Sequence, residues 1–310
     1  MLKGRVLLTG GSGTLGRAII KRANDEKWDC EITMFSRDVM KHHRIKNDYP
    51  HIHSIIGDIR DFTTLSNAMV GQDCVLHLAA VKHIPDSEFN SIDTYEINVG
   101  GSLNVCIAAM QLGTPHVLGI STDKSAHPAN AYGASKYLME KIFAEYSRLG
   151  LSTQFHLVRY GNVLESTGSV IEAWKKSVAA GQPINITDPA MTRFWLSPSQ
   201  AVDLVLASLE GKSGHIHIAK MPALSIGKLA EYVLGKDYKF RRIPLRPGEK
   251  MHETLLTIDE APHAFIYDDH FILPPSTDEV FPYHIFEDRP YSSDVAPELT
   301  KDDLMDLLNG

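Results

Sequence analysis

The chain has 310 residues, which is long enough for one large hydrophobic core or for a main domain with a smaller attachment. Hydrophobic residues make up 43% and charged residues 22%, so the composition is that of a soluble globular protein and excludes disordered and fibrous classes. The net charge of -7 and the pI near 6.1 argue against a general nucleic-acid binder, so any phosphate must be bound by a local group of cations.

The cysteines and the N-terminal segment predict the compartment. Cys30, Cys74 and Cys106 lie in apolar patterns without a C-x-x-C motif, which is typical of a reducing interior. The chain enters a strand within its first residues, which leaves no room for a signal peptide. No apolar run approaches the roughly 20 residues of a membrane span. We therefore expect a cytoplasmic protein that binds neither membranes nor nucleic acid.

The 15 histidines are scattered along the chain. Neither His42-His43 nor His215-Ile216-His217 is joined by a third ligand at a spacing that zinc sites use. No metal site is expected.

In chain order, the first half alternates short apolar runs with helical patterns, which predicts a parallel sheet covered by helices on both faces. The predicted strands are residues 5–9, 30–35, 53–56, 74–78, 116–121 and 154–160, and the predicted helices are 15–24, 61–69, 92–112 and 131–149. This order predicts an α/β fold with a Rossmann-like, doubly wound parallel sheet.

After Tyr160 the pattern changes, and prolines interrupt shorter elements. We assign residues 1–165 to a cofactor-binding Rossmann domain, to which residues 194–220 return. Residues 166–193 and 221–310 are assigned to a smaller C-terminal substrate-binding lobe and tail, in which residues 299–308 have a helical pattern.

A glycine-rich turn follows the first predicted strand. Glycines in this position let the backbone approach a pyrophosphate, whose charge then meets the amides at the start of the next helix. Such a turn alone is weak evidence, but its place between a first strand and a helix strengthens it. The predicted pyrophosphate-binding residues are Gly10, Ser12, Gly13, Thr14, Leu15 and Gly16.

The end of the second predicted strand carries Ser36 and Arg37 where NAD-binding proteins usually have an acid for the ribose. A guanidinium and a hydroxyl suit the 2′-phosphate of NADP, and Lys41 extends the positive edge. The alternative is that Arg37 is an exposed loop residue and that Asp38 binds the ribose of NAD. Asp58, after the third strand, either accepts a hydrogen bond from the adenine amino group or caps a helix.

The segment after the fifth predicted strand has the strongest chemical pattern. Tyr132 and Lys136 are four residues apart and share a helix face, so the ammonium can assist the phenol as a base for hydride removal. Asp123 and Lys124 add the acid and base that an elimination needs, and this pair predicts a dehydratase. The alternatives are a turn cap for Asp123 and solvated charges for the other residues.

These motifs resemble the extended short-chain dehydrogenases and, within them, the UDP-N-acetylglucosamine 4,6-dehydratases, nearly from end to end. The resemblance rests on Phe-Ser-Arg-Asp at 35, Gly-Asp-Ile-Arg-Asp at 57, Ala-Ala-Val-Lys-His-Ile-Pro at 79, Ser-Thr-Asp-Lys at 121, Arg-Tyr-Gly-Asn-Val at 159, Met-Thr-Arg-Phe-Trp at 191, Arg-Pro-Gly-Glu-Lys at 246 and Tyr-Ser-Ser-Asp at 291. It implies that Ile59, Ala79 and Ala80 also contact the cofactor.

The resemblance implies a reaction in three parts. NADP oxidises C4 with help from Thr122, Tyr132 and Lys136, then Lys124 removes the C5 proton while Asp123 protonates the departing C6 hydroxyl, and the hydride returns to C6. Lys124 must be partly neutral, and burial and the oxidised nicotinamide are expected to lower its pKa. The product is a 6-deoxy-4-keto sugar for surface glycan or nonulosonic acid biosynthesis.

The resemblance also implies a set of substrate-binding residues, each of which has an alternative as part of a domain interface. They are Lys82, His83, Asn162, Val170, Arg193, Arg246 and Glu249. The chain departs from the family pattern at Thr167 and Glu172, where relatives have an arginine and a proline. This departure leaves one phosphate contact and the exact sugar open.

Tyr132 argues against the branch of capsule-type relatives that also epimerise, because they carry methionine there. The missing membrane spans favour the inverting branch of the pseudaminic-acid type, and relatives imply a homo-oligomer, either a dimer or a hexamer. Two alternatives stay open: a nucleotide-sugar 4-epimerase or reductase, and a non-enzymatic NADP-binding sensor.

Overall fold

The computed structural model describes residues 1–150, 152–164, 166, 169–275 and 289–309. Its strands are β1 Gly4–Thr9, β2 Cys30–Ser36, β3 His53–Ile56, β4 Cys74–His77, β5 His116–Thr122, β6 Gln154–Tyr160, β7 Asn162–Val163, β8 Ile184–Ile186, β9 Thr192–Leu196, β10 Ile216–Ala219, β11 Ala223–Ser225, β12 Phe240–Arg242, β13 Thr254–Leu256, β14 Phe265–Tyr267, β15 His270–Leu273 and β16 Tyr291–Ser292.

Its α-helices are α1 Thr14–Asp25, α2 Val39–Asp48, α3 Phe62–Met69, α4 Ile84–Phe89, α5 Ser91–Tyr95, α6 Gly101–Leu112, α7 Asp123–Ala126, α8 Ala131–Ser147, α9 Val170–Ala179, α10 Pro198–Leu209, α11 Ile226–Leu234 and α12 Lys301–Asn309. A π-helical turn, Glu96–Gly100, joins α5 to α6, and a 3₁₀ turn spans Ala261–His263. None of the helices within the described ranges is long and apolar enough to cross a bilayer.

The main sheet has the order β14-β15-β10-β6-β5-β4-β1-β2-β3. The strands from β10 to β3 in this order are parallel. The order reverses between β1 and β4, so the crevice at their carboxyl ends is the topological switch point at which such sheets bind ligands. The predicted α/β, Rossmann-like, doubly wound sheet is confirmed.

Burial explains why these segments form a covered sheet. The last four residues of β1 are buried on both faces, as expected for a parallel strand between two helical layers. The apolar stripe of helix α1 faces the core, where Ile19 and Ile20 are buried. Asp61, rather than Asp58, caps α3 by accepting from the amides of Thr63 and Thr64.

One part of the tail differs from the sequence prediction, which assigns all of residues 221–310 to the smaller lobe and tail. Strands β14 and β15 instead form a hairpin that pairs antiparallel with β10 at the edge of the main sheet. The two-residue turn contains Asp268 with φ of 46°, a conformation that tight hairpins require. The four buried residues of β15 cover an edge that would otherwise expose unpaired backbone groups.

The smaller sheets, β11-β9-β7, β12-β8 and β13-β16, lie beyond the main sheet. Many of the residues around them form a second hydrophobic cluster, separate from the main core, to which α9, α11 and α12 contribute. Trp174 and Trp195 are its largest members and are almost fully buried. The smaller sheets therefore have a hydrophobic core of their own, against which the predicted substrate residue Val170 packs.

Candidate active site

A large cavity lies at the carboxyl ends of the parallel strands. It has a volume of about 1280 Å³. A site for one small molecule usually measures roughly 300–1,000 Å³, so this cavity has room for two ligands. All the residues predicted to bind cofactor or substrate line it, together with Thr122 and Lys124. Asp123 is fully buried beside Lys124 and does not reach the cavity surface.

The glycine turn forms a close-fitting cradle at this cavity. Gly10 has a φ of 66°, and its amide donates to Phe35 O at 2.7 Å. A Cβ on Gly10 would lie 2.7 Å from the backbone nitrogen of Ala79, and a Cβ on Gly16 would overlap Gly11 O. Only glycine fits either position, so the backbone can approach a pyrophosphate at the start of α1.

A chain of buried polar groups supports the end of β2. Ser36 Oγ lies 2.8 Å from Ser12 Oγ and 2.5 Å from His42 Nε2, while His42 Nδ1 lies 2.6 Å from Ser54 Oγ. A serine hydroxyl has one donor and two acceptor positions, so Ser36 keeps one position for a ligand. Burial lowers the pKa of His42, which therefore contributes a neutral ring.

Exposed cations surround this polar chain. The Arg37 guanidinium is 59% exposed and lies 3.6 Å from Asp58 Oδ2. Asp58 is bound more tightly by Arg60, at 2.7 Å, and this pair holds the pKa of Asp58 below its ordinary value. Asp38 accepts from the amide of Lys41 as the cap of α2 and pairs with its ammonium at 3.3 Å. Asp38 is therefore engaged in its own helix rather than held free for a ribose.

Lys82 extends the positive surface on the other side of the glycine turn. Burial lowers the pKa of Lys82, and so do the positive charges of Arg17 and Lys41. These three cations therefore lie near one part of the cavity. His83 is mostly exposed, directly precedes α4 as its N-cap residue and lies 2.9 Å from Asp86 Oδ2.

Tyr132 and Lys136 project from the first turns of α8. The Lys136 ammonium is buried, lies 3.1 Å from Met139 Sδ, and burial lowers its pKa to about 8. Burial raises the pKa of Tyr132, although Lys124 and a hydrogen bond with Thr122 act in the opposite direction. A further positive charge nearby would favour the phenolate.

Lys124 lies between two buried carboxylates. Its Nζ is 2.9 Å from Asp123 Oδ1, 3.6 Å from Glu253 Oε1 and 3.5 Å from Asn162 Oδ1. The Thr122 hydroxyl donates to the same Asp123 oxygen at 2.8 Å. The ammonium thus has an acceptor near each of its three protons.

The charges in this group contradict one expectation from the sequence. Burial alone would lower the pKa of Lys124, but Asp123 and Glu253 outweigh it and raise that pKa above its ordinary value. Burial and Glu253 raise the pKa of Asp123. Burial would also raise the pKa of Glu253, but Lys124, Lys250 and Arg193 hold it below its ordinary value. Lys124 is therefore an ammonium in this state, and Asp123 is the carboxyl that protonates more readily.

A buried ion network fixes the two catalytic segments to each other. Arg159 binds Glu140 of α8 through two hydrogen bonds of 3.0 and 2.7 Å and also pairs with Glu260. Ser121 and Ser125, on either side of Asp123 and Lys124, donate to the same Glu140 oxygen. The segment after β5 and the helix that carries Tyr132 therefore share one anchor.

The turn at residues 246–250 connects the smaller lobe to α8. Arg193 is buried and donates to three backbone carbonyl oxygens, two of them in the 250–251 segment, so it holds this turn in place. Glu249 accepts from the amide of Arg246, whose side chain stays exposed at the cavity. Asn130 caps α8 and donates to Gly248 O at 2.9 Å.

One of the two departures from the family pattern, Glu172, lies in the first turn of α9. Ser169 caps this helix, and Val170 lines the cavity. Glu172 pairs with Lys176 at 2.6 Å on an exposed face and does not line the cavity. Thr167 lies outside the described residues.

Sequence reasoning missed three residues near the cavity. Glu253 follows the Arg-Pro-Gly-Glu-Lys motif by three positions, and its proximity to a motif was the available signal. Asn98 lies in the π-helical turn and bonds both backbone groups of Val81 and the hydroxyl of Ser135, which ties the loop after β4 to α8. His42 was considered only as part of a metal site.

Comparisons with known proteins place the chain among nucleotide-sugar enzymes. The chain is 35% identical to the UDP-N-acetylglucosamine 4,6-dehydratase (inverting) of Campylobacter jejuni, over 88% of this chain and 84% of that protein. It is 39% identical to a protein of Rickettsia bellii named UDP-glucose 4-epimerase, over 87% of this chain and 82% of that protein.

A solved structure is also similar over nearly the whole length. The X-ray structure of Pen from Bacillus thuringiensis superimposes with a TM-score of 0.91 at 31% identity and covers 99% of this chain and 97% of that chain. Residues 6–275 match the polysaccharide biosynthesis protein family. The chain therefore belongs to the polysaccharide biosynthesis protein family and is an enzyme of the extended short-chain dehydrogenase/reductase type.

Proposed function

We propose that the enzyme dehydrates UDP-N-acetylglucosamine to a UDP-2-acetamido-2,6-dideoxy-4-hexulose, with NADP as a recycled cofactor and with inversion at C5. The observation that carries the proposal is the Asp123–Lys124 pair: Lys124 lines the same cavity as Tyr132 and Lys136, and the buried Asp123 contacts Lys124 at 2.9 Å. An oxidation at C4 needs only the second pair, whereas an elimination needs a separate acid and base.

The glycine cradle and the cations beside it fit a nicotinamide dinucleotide. A Cβ on Gly10 or Gly16 would overlap backbone atoms of the turn and of Ala79, so only glycine permits this cradle, and Arg37, Lys41 and Ser36 suit the 2′-phosphate of NADP. The nicotinamide supplies the hydride acceptor for C4 and the hydride donor for C6. Tyr132 takes the proton of the C4 hydroxyl, and the buried Lys136 ammonium stabilises the resulting phenolate.

The elimination uses the proton that Asp123 and Lys124 share. Moving that proton from Lys124 Nζ to Asp123 Oδ1 along the 2.9 Å contact converts the ion pair into a neutral amine and a carboxylic acid. The amine then removes the C5 proton, and the acid protonates the departing C6 hydroxyl. The C4 ketone acidifies the C5 proton, so the oxidation must come first.

The remaining cations and amides of the cavity suit the nucleotide sugar. The exposed Arg246 and Lys82 can neutralise a diphosphate, and Asn162 lies close enough to Lys124 to contact the sugar. Val170 and His83 line the same cavity. The size of the cavity supports binding of cofactor and substrate together.

A 4-epimerase is the second candidate, because the Rickettsia bellii relative carries that name. Such an enzyme needs Tyr132 and Lys136 but has no use for an acid and base at C5 and C6. The buried Asp123–Lys124 pair favours dehydration.

Incubation with UDP-N-acetylglucosamine in deuterated water, followed by NMR of the nucleotide sugar, tests the proposal. We expect a C6 methyl group, a C4 ketone and deuterium at C5 with inverted configuration. A C4 epimer that keeps its C6 hydroxyl would establish the epimerase, and an unchanged substrate would overturn both candidates.

A further inference from the structure

Glu253 is a buried carboxylate beside the reacting groups to which neither motif nor mechanism assigns a task. It is 2% exposed, lines the cavity, and its Oε1 lies 3.6 Å from Lys124 Nζ. Its other oxygen lies 3.1 Å from Lys250 Nζ. Burial of a carboxylate is costly unless opposite charges compensate it, so a position this close to the reacting lysine needs an explanation.

The C-terminal segment fixes the position of Glu253. Its backbone amide donates to Ser293 Oγ at 2.9 Å, and the amide of Ser293 donates to Glu253 O at 2.8 Å. Ser293 Oγ lies 2.6 Å from Thr192 Oγ1, so the residue is held from both sides by β9 and by the segment after β16. Lys250 donates to His127 O at 2.8 Å and thereby joins Glu253 to the catalytic loop.

The two carboxylates around Lys124 differ in their contacts. Asp123 accepts through Oδ1 from Lys124 and Thr122, and burial and the nearby Glu253 raise its pKa. Glu253 faces Lys124, Lys250 and Arg193, so three cations favour its charged form. One carboxyl group is therefore suited to carry a proton and the other to remain an anion.

We propose that Glu253 is a positioning residue for the elimination: its permanent negative charge holds the Lys124 ammonium beside Asp123, in the place from which the amine removes the C5 proton. This inference rests on the proposed function.

The proton balance closes without Glu253. Lys124 Nζ gives one proton to Asp123 Oδ1; the amine then takes the C5 proton, the C5–C6 double bond forms, the C6–O bond breaks, and the acid proton leaves with the hydroxyl as water. The ammonium and the carboxylate are then restored. Glu253 neither gains nor loses a proton, and its charge acts on Asp123 and Lys124 through space.

The variant E253Q keeps the shape of the side chain and removes its charge. Because a nearby anion raises the pKa of both Asp123 and Lys124, its removal lowers both. We expect both limbs of the profile of kcat against pH to move to lower pH. We also expect kcat to fall about 10- to 100-fold, less than the 100- to 10,000-fold typical of a direct acid or base, with KM almost unchanged.

Single-turnover measurements separate this role from a structural one. In E253Q the C4 oxidation continues, so the reduced nicotinamide absorbance should accumulate, while deuterium uptake at C5 slows. A merely structural role would slow oxidation and elimination together and leave the pH profile in place. E253D, which restores the charge on a shorter side chain, should recover the wild-type pH profile in part.

The control is E298Q, the same change at an exposed glutamate that pairs with Lys228. It should behave as wild type. If wild type produces the 6-deoxy-4-keto sugar and E253Q keeps its kcat and pH profile, the role of Glu253 is excluded while the proposed function stands. If wild type forms no such product, the proposed function itself is excluded.

Discussion

Two lysines line the same cavity, and their surroundings shift their pKa values in opposite directions. Lys136 lies against Met139 Sδ and makes no ion pair among the described residues; burial lowers its pKa to about 8. The Lys124 side chain is only 12% exposed, but Asp123 and Glu253 lie beside it and raise its pKa above the ordinary value. Burial alone therefore does not determine the state of a lysine; the charges within a few ångströms of it do. The difference matches the two tasks that we propose, stabilising a phenolate and exchanging a proton with an acid.

Replacing Lys124 by methionine should have the largest effect. The substitution removes the cation between two buried carboxylates, and breaking such a group usually costs about 3–5 kcal/mol of the free energy of unfolding. Dehydration should fall by at least about 1,000-fold, because the base is lost. Oxidation at C4 should persist in the folded fraction and can be followed as reduced nicotinamide.

Lys176→Met is the matched control, since Lys176 is an exposed lysine in an ion pair on α9. It should change neither stability nor turnover measurably. Full turnover in Lys124→Met would exclude Lys124 as the base.

The same substitution at Lys136 should stabilise the protein. The folded-state pKa of about 8 lies below the unfolded value of 10.5, so between these pH values the unfolded chain binds more protons. The free energy of unfolding of the wild type should therefore rise from pH 8 to 10.5. Below pH 8 the protein bears the full cost of burying the charged Lys136. Lys136→Met removes that penalty, about 1–3 kcal/mol at pH 7, and the variant lacks the rise.

Urea unfolding at neutral and at alkaline pH measures both the gain in stability at pH 7 and the missing rise of stability with pH. In a separate kinetic measurement, oxidation at C4 by the Lys136 variant should fall about 100-fold, since the phenolate loses its stabilising charge. A loss of stability at pH 7 would show that Lys136 has a compensating partner, and the contrast between the two lysines would then disappear.

Replacing Arg37 by alanine should alter the cofactor and leave both lysines unaffected. Hydrogen bonds to charged groups contribute about 1.5–3 kcal/mol, so the preference for NADP over NAD should fall about 10- to 100-fold. The affinities of NADPH and NADH, measured by fluorescence titration, provide the test. Lys46→Ala, at an exposed position of the following helix α2 and outside the cavity, should leave the ratio unchanged. An equal loss of affinity for NADPH and NADH would contradict the assignment of Arg37 to the 2′-phosphate.

The contrast between the lysines also marks the limit of what the sequence predicts. The parallel sheet was predictable because apolar runs such as that of β1 are local, and the spacing of Tyr132 and Lys136 placed them on one helix face. The state of Lys124 was not predictable, because Glu253 reaches it from a distant part of the chain through the pairing of β13 with β16. Helix α2 was missed because it buries only His42 and Ile45 along a polar sequence.

Replacing Ser293 by alanine should have the smallest effect and should act on one lysine only. The change leaves the buried amide of Glu253 without its acceptor, which costs roughly 1–3 kcal/mol. Glu253 then loses its fixed position, so the elimination should slow a few-fold, whereas C4 oxidation through Lys136 should be unchanged. Ser292→Ala is the neighbouring control, because that hydroxyl bonds Asp294 rather than Glu253. If both half-reactions slow equally in Ser293→Ala, the C-terminal segment supports the whole cavity, and the two lysines are not held independently.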